Sequence, residues 1–142
     1  MSSLTGAGVS TELLMILLDT HALLWALGAP QKLGKRLVHK IESERATFYS
    51  PLSVFETNIL FLKGRLAKAP TDIDQMAQQL GILELPYGFA AASEGMQFQE
   101  LMGSDPFDWM LIAQAQAAGC DFYTADMRLL SLGQSFIKDA TA

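Results

Sequence analysis

Cysteine is nearly absent. The lone Cys120 excludes an intrachain disulfide and a thiolate-built zinc centre, and it reads as a buried, inert thiol. His21 and His39 do not form a metal-ligating pair in sequence, and nothing recommends either as the partner of Cys120 in a nucleophilic pair. There is no glycine-rich phosphate loop and no G-x-S-x-G, which removes the usual nucleotide-binding and serine-hydrolase signatures. The longest apolar run is six residues, against the roughly 20 needed to span a bilayer. No membrane segment is therefore expected. No Lys or Arg precedes Lys32, so the start lacks the basic region of a signal peptide. These absences fit a protein of the reducing cytoplasm.

Charge is also sparse, at 18% of residues, while 50% are hydrophobic. That balance argues for a packed core rather than disorder. The 142 residues suit one domain of ordinary size. Residues 1–13 are mostly small and polar and read as a flexible tail, so the domain is expected over 14–142. The net charge of −5 disfavours diffuse attraction to nucleic acid. Five of the ten basic residues fall in 32–45, however, and Lys63, Arg65 and Lys68 form a second cluster. Lys32, Arg36 and Lys40 recur at helical spacing, as a solvated face also would. The second cluster lies just beyond the helix expected to carry Glu56, and is the better candidate for RNA contact.

Short apolar strands alternate with helical stretches. Strands are expected at 14–18, 47–49, 82–85, 121–124 and 135–137. Helices are expected at 20–27, 32–45, from Pro51 through the apolar positions Leu52, Phe55, Ile59, Leu62 and Leu66, and then at 71–80, 88–101, 106–118 and 126–130. The alternation implies an α/β fold, a three-layer α/β/α sandwich on a short parallel sheet. In such sheets ligands bind at the carboxyl ends of strands. Asp19 and Asp126 both follow strands, so both belong to that edge.

Each acid has an ordinary structural explanation. Asp19, Asp105 and Asp126 can cap the helices that follow them, and Asp108 suits the first turn of its helix. Glu56 is harder to explain locally, since Leu60 rather than Lys stands four residues on. Taken together, these explanations gather several carboxylates at one sheet edge without matching cations. Such crowding raises pKa values and destabilises a fold. Oxygen donors without Cys or His favour Mg²⁺ or Mn²⁺ over zinc. An ion held there could activate water and stabilise charge on a phosphodiester.

The segments "LLDTHALLWAL", "SPLSVFETNILFLKGRL", "DPFDWMLIAQAQAAG" and "FYTADMRLL" resemble, in order and spacing, the motifs of PIN-domain proteins. The VapC-type toxins of bacterial toxin–antitoxin pairs are the nearest subgroup, and the resemblance runs from about Met15 to Ile137. It implies the same α/β/α sandwich and a metal-dependent endoribonuclease that leaves a 3′-hydroxyl and a 5′-phosphate. It also implies inhibition by a cognate antitoxin, and a homodimer. Carried onto this chain, the family's acids fall on Asp19, Glu56, Asp108 and Asp126, as metal ligands and catalytic groups. Asp105 is a supporting position. Thr20 and Thr124 flank the site. Beside the resemblance, the basic cluster's position makes Lys63 and Arg65 the expected RNA contacts.

Three cations common in similar proteins are missing. Trp109 stands where an Arg usually follows the "DPFD" segment, "MGS" precedes that segment without a basic residue, and Leu60 replaces a Lys. The rival expectation is therefore a catalytically weakened PIN-fold protein that mainly binds antitoxin or RNA. A metal-dependent phosphatase on a similar sheet is a more distant alternative.

Overall fold

The computed structural model describes residues 15–43, 46–67 and 72–142. The tail expected over 1–13 lies outside the described residues, as do Leu14, Arg45, Lys68 and Thr71. The chain runs β1 (Met15–Leu18), α1 (Thr20–Gly28), α2 (Lys35–Glu42), β2 (Thr47–Tyr49), α3 (Pro51–Leu62), α4 (Ile73–Gln79), β3 (Ile82–Glu84), α5 (Phe89–Glu94), α6 (Pro106–Ala118), β4 (Cys120–Thr124), α7 (Met127–Leu130) and β5 (Ile137–Asp139). Short 3₁₀ turns occupy Pro30–Lys32 and Gly95–Leu101.

All strand pairings are parallel, in the order β3-β2-β1-β4-β5. The central strand explains the apolar run of the sequence. Ile16 and Leu18 face one core with Leu23, Leu37 and Ile73, while Leu17 faces a second core with Leu111, Ile112 and Phe122. A strand covered on both faces needs apolar residues at every position rather than alternation. Helices α1, α2 and α4 cover the first face, and α6 and α7 the second. The expected three-layer sandwich is what forms.

Local chemistry sets most boundaries. Ser50 caps α3 by accepting the Leu52 N–H, and Pro51 takes the first helical position. Asp105 and Pro106 open α6 in the same way. Gly119 closes it at φ 70°, a left-handed conformation that costs a side-chain-bearing residue about 1–2 kcal/mol.

Four expectations need correction. The basic helix starts at Lys35, because Gly34 passes the chain terminus closely. Its N–H donates to the Ala140 carbonyl at 2.8 Å, and a Cβ there would fall 1.8 Å from the Ala142 oxygen. The stretch 88–101 is not one helix. It tightens to 3₁₀ at Gly95 and breaks its helical backbone at Phe98, whose ring is buried in the second core. The last strand lies two residues later than expected, since pairing with β4 sets Ile137 beside Phe122 and Asp139 beside Thr124. Finally, the apolar stripe of α3 is not its buried face. Phe55 and Leu62 are 62% and 81% exposed, while Ser53 and Thr57 are buried. Helix α3 lies across the carboxyl edge of the sheet, with Val54 against one core and Leu52 against the other. Ser53 there meets Thr20 of α1, a close approach that small side chains permit.

Candidate active site

Strands β1 and β4 are hydrogen-bonded neighbours, with Leu18 beside Tyr123 and the Asp19 N–H donating to the Tyr123 carbonyl at 3.0 Å. The chain leaving β1 turns to one face as α1, and the chain leaving β4 turns to the other as α7. Opposite exits open a crevice at this point of an α/β sheet. A cavity of about 370 Å³ fills it, lined by Asp19, Glu56, Asp105, Asp108 and Asp126, with Thr20, His21, Trp25, Ala125 and Arg128. The acids come from the end of β1, from α3, from the start of α6 and from the end of β4, so only folding joins them.

The capping explanations and the convergence both hold. Asp19 Oδ1 accepts the Ala22 N–H at 2.7 Å, Asp105 Oδ1 the Phe107 N–H at 2.9 Å, and Asp126 Oδ1 the Arg128 N–H at 2.9 Å. Each cap is also a wall of the cavity. Thr20 and Thr124 both contact the acids. The Thr20 Oγ1 lies 2.5 Å from Glu56 Oε1 and 2.9 Å from Ser53 Oγ. A hydroxyl has one hydrogen, so Thr20 donates to the carboxylate and accepts from Ser53. The fully buried Thr124 hydroxyl bonds the Asp19 carboxyl and accepts the Asp126 N–H at 3.0 Å, tying the ends of β1 and β4 together.

Burial pushes the Asp19 carboxyl up, against the lowering effect of Thr124 and the Ala22 N–H. Burial likewise raises Glu56, with Thr20 opposing it. Asp108 is pushed up to about 7, first by burial and then by the charges of Asp105, Glu56, Asp126 and Asp19. Its place in the first turn of α6 favours a negative charge, but burial and the neighbouring acids outweigh it. Asp126 goes the other way, because Arg128 hydrogen-bonds it and holds it below the usual carboxylate range.

Arg128 corrects the expectation of acids without a matching cation. Its Nη2 lies 2.8 Å from Asp126 Oδ2 and 3.7 Å from Asp108 Oδ2. Among the described residues, no three His, Cys, Asp or Glu side chains stand as a ready-made metal-binding group. Carboxylate oxygens of Asp19, Glu56 and Asp126 are turned to Ala22, Thr20 and Arg128. The donor chemistry fits an oxygen-seeking divalent ion, and carboxylate side chains would have to turn to ligate it.

A family model for the PIN domain matches residues 16–134. The chain belongs to the PIN-domain family. Several solved structures share its fold. VapBC2 from Rickettsia felis bound to a promoter DNA fragment has a chain 10% identical at a TM-score of 0.63, the match covering 84% of this chain and 94% of that one. A toxin–antitoxin complex from Klebsiella pneumoniae gives 13% identity and 0.62, over 88% and 97%. DNA-bound VapBC from Salmonella typhimurium gives 20% and 0.59, over 84% and 92%. No curated protein sequence matches the chain.

In this PIN domain the expected cations do not reach the site. Trp109 turns its indole N–H to the Gly95 carbonyl at 3.0 Å and packs on the second core. Lys63 and Arg65 are exposed and lie outside the cavity lining. Lys63 is seven residues beyond Glu56, about 10 Å along the axis. In the first basic patch, Lys40 Nζ bonds the Tyr123 hydroxyl at 2.7 Å, and Lys32 lies 5.8 Å from the ring centre of Trp25 without itself lining the cavity. Sequence reasoning missed Arg128, His21 and Trp25 as lining residues. A usable signal existed for each: Arg128 follows a strand-end cap by two residues, and His21 and Trp25 share one face of α1.

Proposed function

We propose that this PIN-domain protein is a Mg²⁺- or Mn²⁺-dependent endoribonuclease acting as the toxin of a toxin–antitoxin pair. One observation carries the reading: Asp19, Glu56, Asp108 and Asp126 meet from four separate elements in a single cavity at the sheet's switch point. A structural role alone would not require a carboxyl that burial, and then the neighbouring acids, lift to about 7. These four acids would hold the ion, and Asp105 adds charge beside them. A bound ion supplies an activated water and charge stabilisation for phosphodiester cleavage. The chain's own residues prepare the place. Thr20 aims Glu56, Thr124 restrains Asp19, and Lys63 and Arg65 meet the RNA backbone farther out.

The partner is an antitoxin that brings a basic side chain to the acidic cavity and an apolar segment beside it. Similar folds occur in toxin–antitoxin complexes, and a second cavity of about 360 Å³ offers apolar surface at Tyr49, Val54, Phe55 and Ile73. A homodimer is part of the proposal, supported by the exposed Phe55 and Leu62 of α3. No helix among the described residues is long and apolar enough to cross a membrane, and the proposed place of action is the cytoplasm.

A second reading, a weakened PIN domain that chiefly binds antitoxin or RNA, draws support from the carboxylates being engaged by protein partners rather than grouped for an ion. Expression of wild type against Asp19→Asn in a bacterium separates the two. Growth arrest with RNA fragmentation in wild type alone supports the ribonuclease. Purified wild type that binds Mn²⁺ yet cleaves no RNA supports the binder.

A further inference from the structure

We propose that Arg128 is the phosphate-contacting residue of this site, and that it reaches RNA by exchanging Asp126 and Asp108 for the substrate. The proposal rests on the ribonuclease reading above. Arg128 is the one Lys or Arg lining the acid cavity among the described residues. Trp109, the residue after Asp108, turns its indole to Gly95 and is not among the residues lining the cavity. A polyanionic substrate entering an acidic cavity needs a cation of the protein's own, and among the described residues Arg128 is the one in its lining.

The geometry suits an exchange. Arg128 grips Asp126 through Nε at 3.3 Å and Nη2 at 2.8 Å, and reaches toward Asp108 at 3.7 Å. Its side chain is nevertheless 70% exposed. Exposed ion pairs contribute little, so such a grip is readily given up. A guanidinium matches a phosphate as well as it matches a carboxylate, with two parallel bonds. While the acids are free of metal, Arg128 screens two of them and is itself spent. Once the acids are engaged by an ion, the guanidinium loses its partners within reach of an incoming phosphate. Arg128 and the divalent ion thus compete for the same carboxylates, and Arg128 and the ion assist each other in holding RNA.

Two opposite effects of one substitution follow. Calorimetric titration with Mn²⁺ in the absence of RNA should show Arg128→Ala binding the ion tighter, by about threefold. Binding of a short single-stranded RNA in Ca²⁺, an oxygen-ligated stand-in ion, should weaken by about tenfold in the same variant. Its salt slope should fall by about 0.7, the value of one contact on a single strand. In chelator the variant and wild type should bind RNA alike. Arg128→Lys keeps the charge without the fork and should recover part of the loss, which also guards against a folding defect in the alanine variant. Mn²⁺ binding no tighter in Arg128→Ala, or an equal RNA loss with and without the ion, overturns the proposal. Wild type that neither binds nor cleaves RNA with Mn²⁺ bound overturns the ribonuclease reading instead, a result read without any variant.

Discussion

Replacing Asp108 by Asn should stabilise the metal-free protein at alkaline pH. Asp108 is pushed from 3.8 to about 7 by burial and by four neighbouring acids. Its charged form is therefore disfavoured in the fold. Between the two pKa values the folded state holds a proton that the unfolded state has lost. Stability then falls as pH rises across that window and levels off above it. Three units correspond to about 4 kcal/mol, and water in the open cavity screens this to an expected 2 kcal/mol or about half. Against it stands the helix-dipole benefit of a charge in the first turn of α6, about 0.3–1 kcal/mol. Burial and repulsion together should win, leaving Asp108→Asn ahead by about 1–2 kcal/mol at pH 8 in chelator. Most of the gain should vanish at pH 4.5, where Asp108 is neutral in the fold. Urea melts of both proteins at the two pH values give the comparison. Saturating Mn²⁺ at pH 8 should reverse the order, since an ion needs the ionised carboxylate. A difference that ignores pH, or an Asn variant less stable at pH 8 without metal, would refute the account of crowding.

Three further outcomes follow from the site. Wild type should gain about 1–3 kcal/mol from Mg²⁺ or Mn²⁺ at about 10–100 times Kd, and Asp19→Asn, which still caps α1, should gain less in the same thermal melts. Thr20→Val strips Glu56 of its donor and leaves the buried Ser53 without an acceptor, so it should cost about 1–2 kcal/mol and lower cleavage while RNA affinity hardly moves. Changing Lys63 and Arg65 together to Ala should flatten the salt dependence of RNA binding by about 1.4, two single-strand contacts; an unchanged slope would take that patch out of the RNA path.

How legible the site was depended on the range of the interactions involved. Asp19, Asp105 and Asp126 could be placed because a cap bonds the backbone two or three residues ahead. Glu56 drew notice through the absence of a local partner. Its actual partner, Thr20, is 36 residues away and could not be inferred from spacing. Arg128 escaped notice for a similar reason, since its link to Asp108 exists only once α6 and α7 share the crevice.

The layers and the edge are legible in the one-dimensional string. A six-residue apolar run can only be a doubly covered strand or a buried helix turn, and the strand–helix alternation forces parallel pairing with helices on both faces. Asp19 and Asp126, each following a strand, were thereby assigned to one side of the sheet. What those acids face is set only by the packing of the elements. It set Phe55 and Leu62 outward although they read as a core stripe, because α3 crosses the sheet edge instead of lying on a face. It also raised Asp108 to about 7 and lowered Asp126 beside the same cavity. Periodicity and capping act within a few residues and survive in the one-dimensional string. Burial and charge–charge coupling depend on distances between elements far apart in the chain, and those distances exist only in the fold.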